Sequence, residues 1–433
     1  MLGYYFNLAL RSFRRNKAIT ALMVLAIGLG IGACMTTLTA FRVLSGDPIP
    51  EKSDRLFYVQ LDPQTLRGMV PGEEPETQMT RFDAEALLRE KRGVRQAMMT
   101  GGSVSITPEN ADLPPFFTDA RYTSGDFFAM FAAPFRHGTS WRSEDDDASA
   151  RVAVISGTLN DRVFGGEDST GRTLVIGGSE FRIVGVLDTW RPTPRFYDLN
   201  TGRYGEVEDV FLPFQTSRAL DLGRNGSMNC WADTAGDDTG VNAPCAWIQY
   251  WVELENSGQA AGYKAYLDNY SAQQKAAGRY ERDPNTRLRD VMEWLDYNKV
   301  VPRDVVMQLW LGAAFLLVCL VNTIGLLLAK FLRRSGEIGV RRALGASRRE
   351  IFKQCLVEAG TVGLAGGVLG LLLSLLGLWA VRQQPMSYAK LAHLDLSMLL
   401  TTFALAIAAS LIAGLLPAWR AMQVTPAIQL KSQ

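Results

Sequence analysis

Residues 305–331 read VVMQLWLGAAFLLVCLVNTIGLLLAKF, residues 332–356 read LRRSGEIGVRRALGASRREIFKQCL, and residues 357–381 read VEAGTVGLAGGVLGLLLSLLGLWAV. Two long apolar runs are thus joined by a short cationic one. Each run meets the roughly 20 residues that a helix needs to cross hydrocarbon. At that depth the backbone finds no water, so runs of this kind are helices. The same reading applies to Ala18–Phe41 and Ser397–Leu416. The expected fold class is therefore a polytopic α-helical membrane protein with four transmembrane helices, at 18–41, 305–331, 357–381 and 397–416. A large mixed α/β extracytoplasmic domain, 42–304, is inserted between the first and the second. Bulk numbers decide little, because 47% hydrophobic content and a net charge of +1 would also suit a soluble enzyme. The basic residues form no stripe within the soluble part, so nucleic acid is not an expected partner.

Orientation follows from the Lys/Arg bias of the short flanks. Arg11, Arg14, Arg15 and Lys17 precede the first run, which is longer than the roughly 7–15 apolar residues of a signal peptide and reads as an uncleaved span. The 332–356 connection is also strongly basic, whereas 382–396 holds only Arg382, Lys390, His393 and Asp395. Both termini, 1–17 and 417–433, are expected in the cytoplasm. Leu2, Tyr5, Phe6, Ala9, Leu10 and Phe13 recur at helical spacing, as in an amphipathic helix on the inner leaflet or a plain extension of the first span. Gly28 with Gly32, Gly363 with Gly367, and Gly366 with Gly370 make smooth helix faces; a subunit contact is one use for them, and the general frequency of glycine in membrane helices is the alternative. Asn322 is expected to bond a neighbouring helix.

In the exported domain, Arg55–Leu61, Val152–Ile155, Thr173–Ile176, Phe181–Leu187 and Ile248–Leu254 have strand patterns, with Gly177-Gly178 as a hairpin turn. Phe82–Glu90, with Gly93 as its stop, Thr158–Phe164 and Ala260–Ala277 have helical ones. The Gly- and Asp-rich stretch Arg195–Gly240 reads as a long loop or small lobe, either a functional insertion or a tolerated excursion. Cys230 and Cys245 are the only cysteines of this domain, either bridged or two free thiols, while Cys34, Cys319 and Cys355 lie in or beside spans. The acidic run Glu144–Asp147 lacks the spaced ligands of a calcium loop and reads as a solvated turn.

No G-x-x-x-x-G-K-[ST] occurs, so this chain has no phosphate-binding loop, and with two histidines, His137 and His393, neither a histidine-based metal site nor a Ser–His hydrolase is supported. No catalytic residue, cofactor or metal is expected on this chain. The informative segment is the cationic connection. Glu337–Leu344 has helical character and stops at Gly345, suited to a left-handed position. Ser347 is placed as the next N-cap with Glu350 three residues on, the S-x-x-E capping box. Such a corner suits either docking to a soluble partner or simple fixing of topology.

Four stretches carry a resemblance. EIGVRRALGASRREIFKQCLVEA resembles the coupling segment of the MacB/FtsX-type ABC permeases; LALRSFRRNKAITALMVLAIGLGIGA and LLPAWRAMQVTPAIQLK resemble that family's entry into the first span and exit from the fourth; and ARYTSGDFFAMF with RVAVISGTLNDRVFGGEDSTGRTLVIGGSEFRIVGVLD is similar to the MacB-type periplasmic core domain. The resemblance implies an inner-membrane permease, a homodimer or a heterodimer with a related chain. A cytoplasmic ABC ATPase on a separate chain would hold ATP and Mg²⁺. It also implies an exported domain of a porter-like α/β lobe and a more β-rich lobe. Further partners would be a periplasmic adaptor and an outer-membrane channel. By position, Glu337, Arg341, Arg342, Gly345, Ala346, Arg348 and Arg349 would form the ATPase-facing surface. Efflux or export is the implied role; a non-transporting regulator, lipoprotein handling and, outside the family, an ATP-independent receptor are the alternatives.

Overall fold

The computed structural model describes residues 8, 12–13, 17–110, 112–384 and 396–423. The readings for most of 1–17, for the 385–395 part of the third connection, and for 424–433 lie outside the described residues. Two compact units emerge, residues 46–300 and the flanking segments 1–45 with 301–433.

In chain order the helices are α1 (Lys17–Ser45), α2 (Arg81–Glu90), α3 (Asp126–Met130), α4 (Ser143–Asp147), α5 (Gly157–Phe164), α6 (Phe214–Ala219), α7 (Ala260–Ala276), α8 (Val291–Tyr297), α9 (Arg303–Arg333), α10 (Ser335–Ala343), α11 (Arg348–Arg382) and α12 (Leu396–Met422). Four of them, α1, α9, α11 and α12, are long and apolar enough to cross a membrane. Within this unit α1 packs against both α9 and α11, and α12 against α9 and α11. The seam of α1 is Met23, Ile27, Ile31 and Met35, every fourth residue and each fully buried. Glycines admit this close approach. A Cβ on Gly32 would lie 2.7 Å from Leu373 Cβ, one on Gly370 2.8 Å from Ile31 Cγ2, and one on Gly28 2.8 Å from Leu369 Cδ2. Gly366 faces Ile27 in the same way, Gly363 faces Ser410 of α12, and Gly367 faces Ala406. These small-residue faces are therefore filled from within the chain, which corrects the option of a subunit contact at them. Asn322 is a second correction: it is exposed on the outside of the four-helix unit rather than bonded to a neighbouring helix.

The strands of the exported unit are β1 (Leu56–Gln60), β2 (Met79–Thr80), β3 (Arg95–Thr107), β4 (Phe116–Thr123), β5 (Phe135–Gly138), β6 (Val152–Ile155), β7 (Thr173–Ile176), β8 (Ser179–Leu187), β9 (Val210–Pro213), β10 (Arg224–Asn225), β11 (Asn229–Cys230), β12 (Cys245–Glu253) and β13 (Arg287–Asp290). Hydrogen bonding runs continuously in the order β13-β1-β12-β3-β4-β9-β6-β8-β5, so the strands make one mixed sheet. The β4–β9 and β6–β8 pairs are parallel, and β7–β8 is the hairpin across Gly177 and Gly178, both at positive φ.

Three expectations here need correcting. Helix α2 stops at Lys91, which takes the left-handed conformation at φ 48°, while Gly93 is needed because a Cβ there would collide with Val252. The 195–240 stretch is not loop throughout: between two irregular segments it contains the fully buried strand β9, at the middle of the sheet, and α6. Its entry is fixed by buried ion pairs. Arg121 Nη2 reaches Asp198 Oδ2 at 2.7 Å and also Glu208, Arg195 Nη1 reaches Glu208 Oε1 at 3.1 Å, and Tyr197 donates to Glu208 at 2.9 Å. Polar composition hid these residues because they are buried as pairs rather than as apolar side chains. Finally, Asp146 is not part of a solvated turn: its carboxylate accepts from Gly125 N–H at 2.9 Å and from Trp141 Nε1–H at 2.7 Å, and burial pushes its pKa up to about 7 against these donors.

Cys230 and Cys245 are directly opposed on β11 and β12, their sulfurs are bonded, and the bridge spans 15 residues. Asp238 lies beside these sulfurs. Sulfurs bonded to each other offer no thiolate to a metal, so this group is not a metal site.

Candidate functional site: the cationic corner

Helix α9 ends at Arg333, and Arg334, at φ −100° and ψ 11°, turns the chain into the short helix α10. The far end of α10 is closed by a Schellman arrangement: Gly345 is at φ 101°, its N–H donates to Arg342 O at 3.2 Å, and Ala346 N–H donates to Arg341 O at 3.0 Å. Two residues later α11 begins. Ser347 Oγ accepts from Glu350 N–H at 3.3 Å, and Glu350 Oε2 accepts from Ser347 N–H at 2.8 Å, a reciprocal capping box. From Arg348 the helix runs unbroken to Arg382, so the residues just after the corner and the third span are one rod.

The residues singled out from sequence divide into two groups. Glu337, Arg341, Arg342 and Ala346 are half-buried, whereas Gly345, Arg348 and Arg349 are exposed. The half-buried group is turned to the bundle. Arg341 Nη2 pairs with Glu337 Oε1 at 3.2 Å and Nη1 donates to Gln354 Oε1 of α11 at 2.9 Å; Arg342 Nη1 donates to Met422 O at the end of α12 at 3.4 Å. Of the seven, Arg341 and Arg342 hold α10 to α11 and α12, Glu337 pairs with Arg341, and Gly345, Arg348 and Arg349 are the exposed ones. The outward face is completed by residues that charge counting passed over: Val340 is 53% exposed and Leu344 83% exposed. Leu344 and Val340 thus stand exposed beside Arg348 and Arg349, an apolar and cationic combination of the kind that association interfaces favour.

Behind the corner lies a buried ionic cluster that sequence reading did not find. Glu358, on α11 one turn beyond Gln354, has Lys330 Nζ of α9 2.7 Å from Oε1 and Arg334 Nη1 3.0 Å from Oε2, and Ser12 Oγ donates to Oε1 at 2.5 Å. Arg334 also pairs with Glu337 Oε1 at 3.2 Å. The available signal was a lone carboxylate at the start of one apolar run and a lone lysine at the end of another. An ionisable residue at such depth needs a partner.

In the exported unit several charged groups are paired within the fold. Beside α5, Arg136 pairs with Asp161 at 2.8 Å, and Asp209 accepts from both Ser156 and Thr118.

Comparison with known proteins gives two family models that match the chain, the MacB-like periplasmic core domain over residues 20–269 and the FtsX-like permease C-terminal region over residues 310–426. The macrolide export ATP-binding/permease protein MacB of Azoarcus sp. is 25% identical over 434 residues, covering 98% of this chain and 59% of the relative. The pyoverdine export ATP-binding/permease protein PvdT of Pseudomonas syringae pv. tomato is 25% identical over 428 residues, covering 96% and 58%. The chain therefore spans about three-fifths of the length of the curated relatives it matches. Among solved structures, the periplasmic region of MacB from Actinobacillus actinomycetemcomitans is 12% identical with a TM-score of 0.36, covering 58% of this chain and 94% of that one. With a core-domain model matching more than half of its residues and a permease model matching its last three spans, this multi-pass membrane chain belongs to the MacB/FtsX-type ABC transporter permeases.

Proposed function

We propose that this chain couples ATP hydrolysis by a separate cytoplasmic ABC ATPase, which holds the ATP and Mg²⁺, to movement of its exported domain, and that the work done is efflux or export. The chain sits in the bacterial inner membrane with both termini in the cytoplasm, acts as a dimer with itself or a related chain, and contributes no catalytic residue. The single observation that carries this reading is the corner itself: an exposed Leu344 flanked by Arg348 and Arg349, braced by Arg341 and Arg342, and continuous with a membrane helix. A loop whose only task is to fix topology needs charge but neither two satisfied helix caps nor an exposed leucine between them. The relatives that are named for export of a macrolide or of pyoverdine support the direction of transport.

The test is co-purification of the full chain with its ATPase, together with ATP turnover of the complex. Leu344→Asp combined with Arg348→Glu and Arg349→Glu removes the outward face and spares the bracing residues. Loss of the complex and at least a tenfold fall in stimulated hydrolysis are expected. An intact complex at the wild-type rate would overturn the assignment. Reversing Arg341 and Arg342 is the poorer experiment, because it breaks the hold of α10 on Gln354 and Met422 as well.

A further inference from the structure

Glu358 gathers contacts from parts of the chain far apart in sequence. Its side chain is 3% exposed, and that of Lys330 is 0% exposed. Lys330 Nζ also donates to Thr20 Oγ1 of α1 at 3.3 Å and lies 5.2 Å from the centre of the Phe13 ring. Through Ser12, Phe13 and Thr20 the cluster takes in the segment before the first span and the first turn of α1; through Lys330 it takes in the last turn of α9. Arg334 then carries it to α10 by its second pair, with Glu337. Arg341 supplies a parallel route, from Glu337 to Gln354, which lies one turn before Glu358 on the same face of α11.

We infer that Glu358 is a positioning residue of the coupling corner: by pairing with Lys330 and Arg334 together, it ties Ser12, α9 and α11 to one another, so that a push on α10 displaces them as one body. The inference rests on reading the corner as an ATPase-driven lever. Lys330, Arg334 and Arg341 carry three positive charges against two negative ones on Glu337 and Glu358, and the surplus lies toward Arg341, the most exposed of the three cations. Lys330, fully buried, depends on Glu358. If α9 slid past α11 by a helical turn, about 5.4 Å, Lys330 would leave Glu358 and a fully buried ammonium would stand without its carboxylate. Water is scarce at that depth, which makes the unpaired arrangement far worse than the paired one. Sliding is therefore barred while joint displacement is free, and motion entering at α10 reaches the spans through ion pairs instead of dissipating in a loop.

The experiment uses the full chain in complex with its ATPase, reconstituted in lipid, with co-purification and stimulation of ATP hydrolysis as separate readouts. Glu358→Gln keeps the shape of the side chain and removes its charge; Lys330→Gln does the same on the other side. Each single variant is expected to retain the complex and lose stimulation at least tenfold. The double variant, in which Arg334 keeps Glu337, is expected to recover to within about threefold of wild type. A retained complex with lost stimulation in the single variants is what a residue needed only for folding would not show. Stimulation by Glu358→Gln within twofold of wild type, or a double variant as low as the product of the singles, overturns the inference while leaving the lever reading in place. A wild-type chain that neither binds nor stimulates an ATPase overturns both. Should Glu358→Gln fail to accumulate, Ser12→Ala removes one hydrogen bond from the same carboxylate: a two- to fivefold fall in stimulation supports the inference, and an unchanged rate refutes it.

Discussion

Placing a methyl group on Gly32 tests the packing of the membrane unit most directly. The new Cβ would stand 2.7 Å from Leu373 Cβ and 3.3 Å from Gly370 O. Carbon atoms prefer about 3.5–4.0 Å, so α1 and α11 must part by about 1 Å, and neither obstacle is the free end of a flexible side chain. Overpacking of this kind costs about 1–3 kcal/mol. Alanine also gains up to about 1 kcal/mol over glycine in helix propensity, which would mask part of the loss. Gly325→Ala cancels that gain, because Gly325 is in the middle of α9 with nothing within 4 Å of its added Cβ. The free cysteines supply the assay. Cys34, Cys319 and Cys355 are all buried in the helices, whereas Cys230 and Cys245 are bonded and silent, so a fluorogenic thiol reagent reports melting of the membrane unit alone. At about 2–4 °C per kcal/mol for a unit of this size, Gly32→Ala should melt about 2–12 °C below Gly325→Ala. Equal melting temperatures for the two variants would show that α1 and α11 do not meet at Gly32, and the described bundle would be wrong there.

Three further outcomes are expected. Replacing Cys230 and Cys245 together by Ser opens a bridge spanning 15 residues and should cost the exported domain about 3 kcal/mol, read as a lower denaturant midpoint with unchanged slope; an unchanged midpoint would count against a structural bridge. Arg121→Met leaves Asp198 buried without its paired cation, while Glu208 keeps Arg195, and should cost about 3–5 kcal/mol at neutral pH. Asp198, which burial would raise, is held below its ordinary value by Arg121 and Thr201. A depressed carboxylate stabilises above its unfolded pKa and loses that stabilisation as the pH falls through its folded value, so the gap between Arg121→Met and wild type should narrow below about pH 4, and a pH-independent gap would contradict the pairing. Asp146 behaves oppositely. Burial raises it to about 7, so its stabilisation is complete below the unfolded value of about 3.9 and is lost as the pH rises through about 7. The Trp141 indole N–H resonance should titrate with a midpoint near 7, and a midpoint near 4 would refute the shift.

Much of this was legible in the sequence for reasons that differ by segment. Apolar runs as long as 305–331 and 357–381 have one physical outcome, so the four long helices could be read directly. The turn at Gly345 and the cap at Ser347 were equally readable, because local backbone chemistry decides them and the same residues do so in the structure. What could not be read depends on partners distant in sequence. Arg195, Asp198 and Glu208 look like loop residues until Arg121 is placed among them. Glycine spacing announced close helix approach but not whose helix approaches: Leu369, Leu373, Ser410 and Ala406 all come from the chain itself. Charge alone likewise could not say that Arg341 faces inward while Arg348 faces out.

That inward and outward division says how the corner can bear load. An α10 tethered only by its chain ends would tilt when pushed, and the displacement would be absorbed in the joints at Arg334 and Gly345. Here each joint is closed. Arg334 is held by Glu337 and Glu358, and Gly345 lies between the Schellman bonds and the Ser347 capping box. The helix carboxyl end is thus satisfied before the next amino end begins, leaving no frayed turn to yield. On the proposed lever reading a push at Leu344 enters α11 at its first residue, and a residue with a Cβ at Gly345, which sits at φ 101°, should strain this joint while leaving Leu344, Arg348 and Arg349 in place. Gly345→Val, strained at that φ, should therefore leave ATPase binding by Leu344 and Arg348 measurable while lowering stimulated hydrolysis; equal losses of binding and stimulation would mean that the corner is a docking site and not a lever.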